Sequence, residues 1–269
     1  MTVFERIFEN KKPVIGMVHL KPLPGAPLYA GDMEAVYEAA LADLTALTEG
    51  GAGAVIVENF GDIPYSTANE LITYTAFANI AARLREKCRL PMGINVQFNN
   101  CEAEWAIAYS CGYDFLRAEV FAENRMGPNG VCEAAGPSLM RFKGRYPKDI
   151  AILADVRVKH TFSLAEQPLG FTVESIVEGG ADALICTGIT TGKSPDVEDV
   201  REMKRLAGSV PVIVGSGVNE RTVKDFLEVS DGAIIGSSFK KDGKVLNPVD
   251  RTRVKRLMAQ LRQGQEVRR

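Results

Sequence analysis

Eight short apolar runs recur along this chain with helical segments between them, at residues 14–18, 54–57, 92–97, 115–120, 150–158, 183–186, 212–214 and 233–235. Runs this short and this rich in β-branched residues suit strands buried on both faces, the condition of a parallel sheet covered by helices. Their approaches repeat. Glu49-Gly50-Gly51-Ala52-Gly53 leads into the second run and Glu178-Gly179-Gly180-Ala181-Asp182 into the sixth. Cys111-Gly112-Tyr113-Asp114 and Ser230-Asp231-Gly232 lead into the fourth and eighth. Each reads as a helix closed by glycine or a short polar turn and followed at once by a strand. The first, third and seventh runs instead follow Pro13, Pro91 and Pro211. A doubly wound open sheet would also alternate strand with helix, but it gives no reason for eight units. The pattern predicts one α/β domain over 1–269, a single (β/α)8 TIM barrel of the phosphate-binding type. Residues 1–12 are expected to be a lead-in and 262–269 a disordered tail.

The helices between the runs are legible as well. Asp32 is placed to cap a helix carrying Val36, Ala40, Leu44 and Leu47 on one stripe. Asn100 begins the helix that holds Trp105, and 196–207, 219–227 and 250–261 fill the later slots, with Asn219 as the expected cap of the second. The long connections, 20–31, 60–67, 121–131, 161–170 and 187–195, all follow runs rather than precede them. In a barrel they would gather over the C-terminal face, where such folds keep their sites. The connection at 187–195, with two glycines and several hydroxyls, is expected to act as a lid.

The last two runs end in similar turns, Gly215-Ser216-Gly217 and Gly236-Ser237-Ser238. Adjacent glycine-and-hydroxyl turns offer free backbone N–H groups to an oxyanion, and glycine permits close approach. In a barrel the loops after strands seven and eight are the usual phosphate site. Polar residues ring the same mouth. Aligning the similar junctions puts Glu58, Glu119, Thr187 and Gly236 at equivalent positions. Side chains alternate along a strand, so Arg117 shares a face with Glu119, and Asp155 with Arg157 and Lys159. Asn95 and Gln97 repeat the pattern, and Asn59 follows Glu58. His19 and His160, the two histidines of the chain, both fall at run ends.

Buried charges are costly unless paired, so these groups need a cause. One account is a salt-bridged plug, with Arg117 and Arg157 neutralising Glu119 and Asp155. The other is catalysis by His19, Glu58, Glu119, Asp155, Lys159 and His160, with Asn59, Asn95, Gln97, Arg117 and Thr187 holding the substrate. Histidine suits proton transfer near neutral pH. Lys159 could form a Schiff base or anchor an anion. Glu58, Glu119 and Asp155 could instead carry a divalent cation such as Mg.

Charge and cysteine content narrow the classes. A formal charge of -2 leaves no footprint for nucleic acid. No stretch approaches the length of a membrane span. The five cysteines are odd in number and form no CxxC pair, which fits a reduced cytoplasmic protein and gives no zinc motif.

At these residues the sequence resembles the BtpA/SgcQ family. The resemblance runs through Gly16-Met17-Val18-His19-Leu20, Glu58-Asn59-Phe60-Gly61-Asp62, Ala154-Asp155-Val156, Val158-Lys159-His160, Thr187-Gly188, Gly215-Ser216-Gly217-Val218, Gly236-Ser237-Ser238 and Asn247-Pro248-Val249-Asp250. It departs after the fourth run, where Ala118-Glu119-Val120-Phe121 and Glu123-Asn124-Arg125 replace a small-residue loop. The resemblance implies a phosphate-binding barrel and kinship with a factor for photosystem I accumulation and with components of sugar-utilisation gene sets; a homo-oligomer is expected. Two functions follow as expectations. One is an enzyme acting on a small phosphorylated sugar or nucleoside-derived metabolite by general acid–base chemistry, as isomerase, lyase or glycosyl-bond hydrolase. The other is a non-catalytic assembly factor for a membrane complex, with the barrel as a ligand-sensing scaffold.

Overall fold

The expected runs form strands because, Arg157 apart, their residues are buried on both faces. In the computed structural model, which describes residues 1–9, 11–188 and 194–266 (263–266 by backbone alone), β1 is Val14–His19, β2 Ala54–Glu58, β3 Met92–Asn95 and β4 Phe115–Ala118. Two short strands follow, β5 (Arg125–Gly127) and β6 (Gly130–Cys132), then β7 (Ala151–Val156) and the brief β8 (Phe162–Ser163). The last three are β9 (Ala183–Cys186), β10 (Val212–Val214) and β11 (Gly232–Ile235). Eight of them, β1, β2, β3, β4, β7, β9, β10 and β11, close in that order into a parallel barrel, with β11 pairing back onto β1. This is the (β/α)8 architecture that the spacing predicts.

Helices sheathe the barrel: α2 (Met33–Gly50), α3 (Leu71–Arg85), α4 (Cys101–Cys111), α5 (Gly136–Arg145), α6 (Leu169–Glu178), α7 (Val197–Ala207), α8 (Val223–Val229) and α9 (Arg251–Glu266). Asp32 caps α2 by accepting from the Ala35 N–H, as its position predicts. α8 begins later than expected. Asn219 does not cap it; its side chain instead accepts from the Arg221 N–H in the turn before the helix.

Strand alternation sorts the apolar side chains into two clusters. Val55, Val57, Ile94, Leu116, Leu184 and Val214 face outward and pack under the helices with Leu44, Leu47, Phe77 and Trp105. Ile15, Met17, Ala54, Ile56, Phe115, Leu153, Ile185, Ile213 and Ile234 fill the barrel. Phe115 fits there because position 93 on the neighbouring strand is glycine; any Cβ would overlap the phenyl ring. The lead-in is part of this interior. Helix α1 (Val3–Phe8) buries Phe4 and Phe8 in the same cluster, and the Phe8 ring lies 5.5 Å from that of Phe115. It closes the end of the barrel at which the strands begin. The other end carries the long connections, two of which build a small antiparallel sheet in the order β6-β5-β8.

Candidate active site

Where the interior rows reach the C-terminal ends of the strands, their residues change from aliphatic to polar or glycine. The row that begins with Ile15 and Met17 ends at His19, and that of Ala54 and Ile56 ends at Glu58. His19 and Glu58 are register partners, as are Glu58 and Asn95. A cavity of about 550 Å³ opens here. His19, Glu58, Phe60, Arg117 and Lys159 line one side; both glycine turns, Val218, Asn219, Gly243, Val245 and Arg253 line the other.

The two turns are built as an anion cradle would be. Gly217 has φ 71°, a left-handed conformation that folds the chain back and aims successive amides one way. Among the described residues, the N–H groups of Gly217, Val218, Ser237 and Ser238 donate to no protein acceptor. The Ser216 hydroxyl accepts from the Gly188 N–H at 2.9 Å and so ties the first turn to β9. A Cβ at Gly236 would stand 3.8 Å from His19 Cε1, so the second turn and the imidazole are neighbours. Arg253, reaching in from α9, donates from Nε to the Ser238 carbonyl at 2.9 Å.

His19 stacks on Phe60, with ring centroids 4.3 Å apart and planes 13° from parallel. Its Nδ1 lies 3.5 Å from the Val245 carbonyl, an acceptor that favours the tautomer with the ring proton on Nδ1 and Nε2 as the base. Burial holds the imidazole well below its ordinary range, and the charges of Lys240, Lys159 and Arg117 add to this against the pull of the Val245 carbonyl. Lys240 is itself buried and paired with Asp43 at 2.6 Å. Lys159 is half-buried and makes no hydrogen bond or ion pair among the described residues. Burial, and then repulsion by Arg117, lower its amine from the usual lysine range against Glu58, Asp155 and Glu119.

The carboxylates behave differently from one another. Glu58 faces the cavity and accepts from Gln97 Nε2 at 2.8 Å. Asp155 does not reach the cavity. Both its oxygens are taken by Arg117, from Nε at 2.7 Å and from Nη2 at 3.0 Å, and the pair has almost no exposure. Glu119 also lies behind the wall, accepting from the Asn99 N–H at 2.9 Å. Burial pushes its carboxyl up to about 8, with Glu58 and Asp155 adding and Arg117 and the Asn99 N–H opposing. The apolar cluster of Phe98, Val120, Cys132 and Val158 lies over this region. Among the described residues no three His, Cys, Asp or Glu side chains converge as a metal site would require. With Asp155 committed to Arg117, the three acids do not converge as ligands for the divalent cation the sequence allows.

The remaining expected residues lie outside the cavity lining. Asn59 accepts from the Gln97 N–H at 2.7 Å and donates to Asp62, which in turn accepts from the Leu23 N–H. Asn95 directs its amide at Glu104 and the Arg117 carbonyl, 3.3 and 3.4 Å away. The Thr187 hydroxyl is buried without a partner among the described residues. His160 is exposed and stands outside the cavity lining. Arg157, expected beside Asp155 and Lys159, turns out to solvent: β7 ends at Val156, Arg157 has φ 57°, and its guanidinium donates to the Gln167 carbonyl. It is no part of a charged plug. The expected lid at 187–195 falls largely on 189–193, outside the described residues. Phe60, Asn219, Val245 and Arg253 line the cavity as well, and no spacing or motif in the sequence marks Val245 or Arg253 for it.

A closed parallel barrel with a polar mouth at the strand C-termini defines a protein of TIM-barrel, enzyme-like architecture. A crystal structure of phosphoribosyl anthranilate isomerase from Thermus thermophilus superposes with a TM-score of 0.57 at 12% identity, covering 93% of this chain and 98% of that one. The chain belongs to the BtpA family, whose model matches residues 10–263. A Pyrococcus horikoshii protein is 42% identical over 260 residues, 95% of this chain and 99% of its own. The Photosystem I biogenesis protein BtpA of Synechocystis is 35% identical over 259 residues, 96% and 90% of the two chains. Among the described residues no helix is long and apolar enough to cross a membrane.

Proposed function

We propose that the protein is an enzyme acting on a small phosphorylated sugar or nucleoside-derived metabolite by general acid–base catalysis. The observation that carries this reading is the adjacency of His19 to two turns with unpaired amides, in one cavity. A phosphate held on Gly215-Ser216-Gly217 and Gly236-Ser237-Ser238 would place the substrate carbons nearest it over the imidazole. His19 Nε2, neutral at physiological pH, takes a proton from carbon or from a hydroxyl there. Lys159 and the outer edge of Arg117 face the same space and stabilise negative charge developing on a substrate oxygen. Glu58, register partner of His19, is placed to return or receive the second proton. Isomerisation, carbon–carbon lysis and glycosyl-bond cleavage all use this set.

The test is direct. Small molecules released from the purified protein by denaturation are examined by mass spectrometry. A phosphorylated metabolite should copurify with the wild type and be lost from Gly217→Val, whose side chain would strain the turn. A released ligand without phosphate, or one retained by Gly217→Val, would sink the reading. The name of the Synechocystis relative favours a second reading, a non-catalytic assembly factor in which the same cavity senses a metabolite. Turnover of the released compound that is lost in His19→Gln distinguishes the enzyme from the sensor.

A further inference from the structure

The two glycine turns enclose an anion from only two directions. The third is Arg253, on a helix that contributes nothing else to the cavity lining. Its Nε is fixed by the Ser238 carbonyl at 2.9 Å, so the guanidinium is anchored to one of the turns themselves. Its terminal nitrogens are free: Nη2 lies 3.7 Å from where a Cβ at Gly243 would stand, and among the described residues no carboxylate pairs with Arg253. The neighbouring arginines of α9 differ in this respect. Arg251 is paired with Glu49 and Arg256 with Glu220. An arginine held by one nitrogen, unpaired at the other two and half-buried beside four unpaired amides presents a fork to an oxyanion.

We propose that Arg253 closes the third side of the cradle and makes the site selective for a terminal phosphate monoester over a diester. This rests on the phosphate reading above. A monoester offers three terminal oxygens, one for each turn and one for the guanidinium. A diester has two, and its second ester arm meets the arginine.

Calorimetric titration of the full chain with inorganic phosphate, glycerol 3-phosphate and the diester glycerophosphocholine tests it. Wild type should bind the first two and bind the diester at least ~10-fold more weakly. Arg253→Gln should lose roughly 10- to 100-fold for the monoester, as expected for charge-assisted hydrogen bonds, and Arg253→Lys should recover part of that loss. Both variants should melt with the wild type. Binding of glycerol 3-phosphate lost in Gly217→Val but kept within twofold in Arg253→Gln would overturn the clamp alone. A wild type that binds none of the three probes would overturn clamp and phosphate reading together. Equal affinity for diester and monoester would overturn the selectivity.

Discussion

Arg117 and Asp155 face each other on adjacent strands and share two hydrogen bonds, of 2.7 and 3.0 Å, beneath the floor of the cavity. The carboxylate that the sequence presents as a candidate base is thus the counter-ion of a buried guanidinium. Removing one partner of such a pair leaves an uncompensated buried charge, at about 3–5 kcal/mol. Asp155→Asn should therefore lower stability by that order in chemical denaturation. Replacing Arg117 by Met in the same chain should restore much of it. An Asp155→Asn protein with wild-type stability and no turnover would return Asp155 to the chemistry.

His19 should behave as a base that is unprotonated across the neutral range. Its imidazole is held below the ordinary histidine value, so catalysis should be lost as pH falls through that lowered pKa and be flat above it. The same depression means that protonation disfavours the folded state, so stability contributed by His19 is lost on acidification below the unfolded pKa. With only two histidines, an NMR titration resolves both rings directly. His19→Gln should reduce turnover of the identified substrate by ~100-fold or more. A His19 that titrates at or above the ordinary value would refute the assignment.

Glu119 carries the opposite sign. Its carboxyl is raised to about 8 in the folded protein, so it is protonated there when the unfolded chain is ionised. Its contribution to stability is complete below the unfolded carboxylate pKa and is lost as pH rises toward about 8. Glu119→Gln should flatten the decline in stability between pH 5 and about 8 by up to about 1.4 kcal/mol per pH unit. Parallel declines in variant and wild type would show that the carboxyl is already ionised.

The N-terminal helix should matter to stability and not to the cavity. Phe8→Ala removes a buried ring beside Phe115 and should cost about 3–5 kcal/mol, read as a lowered Tm. Affinity for a phosphomonoester should be unchanged once the variant is folded. A variant as stable as wild type would mean that the barrel end closes without α1.

The sequence is legible where burial is two-sided. Val55, Ile94, Leu153 and Ile213 have no alternative but a covered strand, and the glycine turns after β10 and β11 stand out because two successive runs end in the same glycine-and-hydroxyl pattern. Local backbone decisions are what alternation misses. It carries Arg157 inward, but β7 has ended one residue earlier and the left-handed turn throws the side chain out. Strands β5, β6 and β8 have two or three residues each, too few to show a period. Asp155 and Glu58 carry the same signal in the sequence; only the reach of Arg117 separates a counter-ion from a cavity carboxylate. Arg253 lies near the chain's end, and only barrel closure brings α9 over the turns of β10 and β11.

Helix α1 also sets a schedule for synthesis. Phe4 and Phe8 are made before every strand of the barrel, yet the ring that receives Phe8 is at position 115 and the rest of their pocket is drawn from strands made as late as β11. An element made before the strands is therefore seated only after them. Until β11 has been made the nascent chain carries two unburied phenylalanines, open to whatever apolar surface or chaperone lies nearest.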